Sequence, residues 1–165
     1  MQRLRAFLLA PQMPLWRYCL LAFPLALIPS AIFLALAQTL FAVSGVDTSA
    51  IGVTEKRLVL SEVLGATVFA PLIETLLLAV LLSMLSALTS RTALVVCASA
   101  LAWGCLHAAF GFIWLFGTTW SFFIFSCGYL AWRKLSFRQA FLAAAVPHAL
   151  INSTALLALA LLDRA

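Results

Sequence analysis

The feature that most limits this chain is a succession of apolar runs, each about as long as a bilayer core is thick, with only short polar breaks between them. They fall at about residues 18–43, 62–88, 92–110, 112–132 and 139–162. A helix rises about 1.5 Å per residue, so about 20 residues cross about 30 Å of hydrocarbon. The runs are continuous rather than alternating, which argues for helices and against a transmembrane β-barrel. The expected fold class is all-α, a polytopic membrane helix bundle of about five spans forming one domain over residues 1–165. Composition agrees: only 9% of the residues are charged, against about 25% in soluble domains. So few charges cannot cover a globule with polar surface, and the mean hydropathy is +1.15.

The net charge of +5 reads as a topology signal. Arg3, Arg5, Arg17, Arg91, Arg133, Lys134 and Arg138 fall on one side of the expected membrane, and Lys56, Arg57 and Arg164 on the other. The positive-inside rule then puts the N-terminus in the cytoplasm and the C-terminus outside. The expected location is the bacterial plasma membrane. The basic N-terminal segment, interrupted by Pro11 and Pro14, is expected along the interface. Ala35-Leu36-Ala37 has the form of a signal-peptidase site, but the run before it is long and holds Pro24 and Pro29, so the first span is expected to be retained. The polar loop over residues 44–61 has room for a short interfacial helix. No basic patch with interleaved aromatics points to nucleic acid. Cys19, Cys97, Cys105 and Cys127 lie in apolar runs without CxxC spacing, so they read as small buried hydrophobes. Trp114 through Trp132 supply aromatics expected to face lipid and the interfaces.

Ionisable groups inside apolar runs carry more information, because each costs a few kcal/mol or more on insertion scales. Glu74, His107 and His148 are such groups, and Asn152 adds a fourth strongly polar side chain. Counted from the cytoplasmic ends, Glu74 lies about 20 Å deep, His107 about 22 Å, His148 about 15 Å and Asn152 about 21 Å. Taken singly, each could simply hydrogen-bond a neighbouring helix. Three helices presenting such groups in one layer point instead to a site. His148 and Asn152 are four apart and share a helix face. Gly104, Ala108 and Gly111 give the third span a small-residue stripe near His107. Pro71 lies one turn before Glu74 and Pro147 directly before His148; a proline frees a carbonyl and bends a span, which opens room for a wet cavity. Neither GxSxG nor HExxH is present.

These residues resemble the motifs of the CPBP family, the CAAX-protease and bacteriocin-processing group of intramembrane glutamic endopeptidases. The resemblance covers roughly residues 68–155. APLIETLLLA, from Ala70 to Ala79, resembles the first motif; Trp103 and His107 in WGCLH resemble the second; His148 and Asn152 in HALIN resemble the third. The first motif departs from the family in two places, with Thr75 at its second glutamate and Ala79 at its arginine. The resemblance implies a hydrolase with catalytic Glu74, His107, His148 and Asn152. Glu74 and His107 would activate a water, and His148 and Asn152 would donate to the oxyanion. It implies no cofactor and no metal, and a membrane-anchored protein or peptide as substrate, cut at a sorting or leader signal. The altered first motif points away from prenylated CAAX tails. Other readings of the same residues are a Glu/His2 zinc site, a non-catalytic immunity or scaffold protein, and a proton relay or transporter. Oligomeric state is not legible.

Overall fold

The computed structural model describes residues 2–45 and 59–162. Helix α1 (Gln2–Leu9) is followed by α2 (Leu15–Val43). The next long rod runs from Leu60 to Leu88 as α3 (Leu60–Leu64), a π-helical turn (Gly65–Phe69) and α4 (Ala70–Leu88). Then come α5 (Thr92–Ala108), α6 (Trp114–Trp132) and α7 (Phe137–Leu162). The described residues contain no strand, and the all-α expectation is met. The short interfacial helix expected within residues 44–61 falls largely outside the described residues, as do Lys56, Arg57 and Arg164.

Three rods, Leu15–Val43, Leu60–Leu88 and Phe137–Leu161, are long and apolar enough to cross a membrane, while Thr92–Ala108 is apolar but shorter. Leu20, Ile28, Leu36 and Leu40 on α2, with Ile73, Leu77, Val80 and Met84 on α4, leave these rods with exposed apolar surface. Patches of that extent are not left open to water in soluble monomers. Lipid accounts for them, and the chain is a membrane protein.

The connections follow local chemistry. Ser136 opens α7 by accepting the Gln139 amide at 3.1 Å, the first half of an S-x-x-Q capping box. Thr89 does a similar service in the α4–α5 turn, where its hydroxyl accepts the Arg91 amide at 3.2 Å. The α5–α6 turn is tight because Gly111 adopts φ 150°, a conformation that side-chain-bearing residues rarely take.

Helix α6 is the axis of the bundle and touches α1, α2, α4, α5 and α7. Every residue from Ile124 to Tyr129 is buried. This corrects the lipid-facing expectation for its aromatics: Phe122, Phe125, Tyr129 and Trp132 fill the interior. Surrounded by neighbours, α6 has little surface left for lipid, so its rings serve as core. It meets α5 closely at Gly104, where an added Cβ would collide with the Thr119 hydroxyl. Hydroxyl pairs lock the same axis, Ser30 with Ser121 at 2.7 Å and Ser126 with Ser99 at 3.1 Å.

Two prolines explain two further contacts. Pro29 has no N–H, so the carbonyl of Leu25, four residues back, loses its helical donor. The Trp120 indole N–H donates to that Leu25 oxygen at 2.9 Å. In the π turn, the Ala70 amide reaches back five residues to Gly65. In that register Ala66 would receive from Pro71, which has no N–H to give. The Asn152 side-chain amide donates to Ala66 instead, at 2.8 Å. Lipid offers no water for an orphaned carbonyl, and at these two a donor from another helix supplies the bond.

Candidate active site

Three helices bring the ionisable groups of the apolar runs to one point. Glu74 sits in the second turn of α4, His107 in the last turn of α5, and His148 midway along α7 behind Pro147. The Glu74 Oε2 atom lies 3.7 Å from His107 Nε2 and 3.7 Å from His148 Nε2. Both distances are within ion-pair range yet longer than a direct hydrogen bond. The side chains of Glu74 and His107 are 22% and 25% exposed, while that of His148 is 7% exposed. The cluster thus has an accessible side and an enclosed one.

The tautomer of His107 follows from its surroundings. Its Nδ1 stands 2.9 Å from the carbonyl oxygen of Trp103, one turn earlier. A carbonyl can only accept, so Nδ1 carries a hydrogen, and in the neutral ring Nε2 is then an acceptor facing Glu74. An ionised carboxylate and a bare imidazole nitrogen are both acceptors. Side by side, they match the two hydrogens of one water molecule.

The imidazoles rest on an aromatic wall from α6. Phe122 stacks on Trp103 with centroids 4.4 Å apart, and its ring lies 5.5 Å from His107 and 5.4 Å from His148. Phe125 stacks against His148 at 5.0 Å. Phe122 and Phe125 are the site residues that the sequence reading missed. Their three-residue spacing on one helix was visible, but their inward orientation depends on α6 being central.

Asn152 is placed differently from the other three. It shares the α7 face of His148, but its amide is engaged with Ala66 in the π turn rather than with Glu74. Thr75 and Ala79, the two departures in the first motif, lie on the buried side of α4 beside Pro71, Leu78 and Leu82. Both are packed, at 2% and 6% exposure. Among the described residues, no group of three His, Cys, Asp or Glu side chains is arranged to hold a metal ion.

No protein-family model, no curated protein and no solved structure matches this chain.

Proposed function

We propose that the chain is an intramembrane endopeptidase of the glutamic type, related to the CPBP family, acting on membrane-anchored proteins or peptides. The observation that carries this reading is the meeting of one carboxylate oxygen with two imidazole nitrogens from separate helices. Groups so costly to place among apolar helices converge where chemistry uses them. Five spans with the N-terminus in the cytoplasm of a bacterium complete the proposal.

The mechanism uses the cluster in order. A water donates its hydrogens to Glu74 and to His107 Nε2. Glu74 removes one proton as the water oxygen attacks the peptide carbonyl carbon. His148 donates from Nε2 to the oxyanion that forms, its ring held by Phe122 and Phe125. Collapse of the tetrahedral species breaks the C–N bond, and the proton held by Glu74 passes to the leaving amine. Asn152 acts through the π turn, and the oxyanion contact rests first on His148.

The paired departures in the first motif fit this reading. A glutamate and an arginine replaced together by Thr75 and Ala79 leave no lone charge buried in the packed face of α4. In the family that pair bears on substrate handling, so its replacement argues against ordinary CAAX-type substrates. The test is cleavage of a membrane-tethered peptide by wild type, Glu74→Gln, His107→Ala and His148→Ala, with and without chelator. Losses of about 10²-fold or more in each variant are expected, with chelator inert. Equal turnover by Glu74→Gln would refute the proposal, and chelator-sensitive turnover would move it to a metalloenzyme.

A further inference from the structure

Away from the Glu74 cluster, a cavity of about 740 Å³ opens at the end of the bundle that carries the α4–α5 and α6–α7 turns. Part of its lining is polar and cationic, with Ser86, Thr89, Ser90, Thr92, Arg133 and Lys134. The lining also includes apolar residues, among them Leu9, Val95 and Leu130 from three different helices. Lys134 donates to the Leu9 carbonyl at 3.3 Å, tying α1 over the cavity. An ammonium has three hydrogens, so two remain for another acceptor. Thr92 begins α5, a helix whose N-terminus has no side-chain cap, so its first amides are not taken up by a neighbouring side chain. Among the described residues, neither acidic side chain, Glu62 or Glu74, belongs to the lining.

We infer that this cavity binds a phosphate group, and that the headgroup of an anionic phospholipid is the source its shape fits. Hydroxyls, two cations and uncapped amides suit phosphate oxygens. Apolar walls beside them suit the glycerol and first acyl carbons, which free phosphate lacks. Basic pockets between helices at a cytoplasmic face are where such headgroups are held. The inference rests on the proposed orientation, which puts this end of the bundle at the cytoplasmic face, and not on the protease chemistry. The site would clamp α1 and the two turns to the membrane surface.

The test uses the full chain in a non-ionic detergent, with lipid adducts counted by native mass spectrometry. Dioleoylphosphatidylglycerol and dioleoylphosphatidylcholine are offered separately, and inorganic phosphate is added as competitor. The expected result is preferential retention of phosphatidylglycerol, weakened about fivefold by Arg133→Gln. Thr92→Val should weaken it as well. Arg138→Gln removes a charge at the same end but outside the cavity lining, and should leave binding unchanged. Displacement by inorganic phosphate at comparable affinity would assign the site to free phosphate and remove the lipid. Equal retention of the two lipids, or equal losses in Arg133→Gln and Arg138→Gln, would overturn the site itself. Melting temperatures of the variants separate lost binding from lost fold.

Discussion

Replacing Asn152 by alanine separates two roles that one side chain can play. In the structure its amide supplies the Ala66 carbonyl, whose helical donor is missing because Pro71 has no N–H. Hydrogen bonds between membrane helices average about 0.6 kcal/mol and reach about 1.7. Here the loss also strands a carbonyl, so about 1 kcal/mol of stability is the expected cost of Asn152→Ala. The bond has a further signature. Pro71→Ala restores a backbone N–H close to Ala66, so in that background Asn152→Ala should cost close to nothing. The double-mutant cycle of Pro71 and Asn152 therefore carries a coupling of about 1 kcal/mol, transmitted through a carbonyl that belongs to neither residue. The packing lost with the buried Pro71 ring cancels in the cycle. The assay is reversible unfolding in mixed micelles of increasing SDS fraction, with peptide cleavage followed on the same four proteins. An oxyanion donor behaves otherwise: its removal lowers kcat by about 10²–10³. Unchanged stability in Asn152→Ala, with cleavage falling as far as in His148→Ala and no rescue by Pro71→Ala, would refute this account of Asn152.

The same logic predicts that Trp120→Phe loses about 1 kcal/mol through Leu25 and that Pro29→Ala absorbs most of this loss; SDS unfolding of the four proteins checks it. Gly104→Ala should destabilise the α5–α6 pair by about 1–3 kcal/mol, and Thr119→Ala should recover most of that loss in the same assay, since the Thr119 side chain is what an added Cβ would strike. Phe125→Leu should leave the fold standing but loosen the His148 ring that Phe125 stacks on; a fall in kcat with KM unchanged is the expected kinetic result, and an unchanged kcat would count against the aromatic wall.

Much of this architecture was legible in the chain because lipid imposes simple rules. Apolar length set the rods: the run read as 92–110 is the helix Thr92–Ala108, and the run read as 139–162 is the helix Phe137–Leu162. The depth count brought Glu74, His107 and His148 to one layer, and the structure brings them to one oxygen. What escaped is what depends on neighbours. An apolar helix rich in aromatics reads the same whether lipid or protein surrounds it, so the central place of α6 was hidden, and Phe122 and Phe125 with it. The π turn was hidden for another reason. It inserts the equivalent of one residue, offsetting the faces of α3 and α4 by about 100°. A straight helix drawn through residues 62–88 therefore misaligns the first turns with the face of Glu74.

The prolines connect these failures to the site. In water an orphaned carbonyl is met by solvent, and a proline fixes nothing beyond its own turn. Among apolar helices a donor on another helix can meet such a carbonyl, so Pro29 and Pro71 each help to choose a partner and a rotation for that partner. Pro29 with Trp120 sets α6 against α2, and Pro71 with Asn152 sets α7 against the π turn that leads into α4. Asn152 is four residues beyond His148, and Ala66 lies two turns before Glu74. Fixing Asn152 on Ala66 thus fixes the axial offset and rotation of α7 relative to α4, which brings His148 Nε2 within 3.7 Å of the carboxylate. A side chain bonded to the π turn can in this way govern the Glu74–His148 approach, because it holds the two helices that carry them in register.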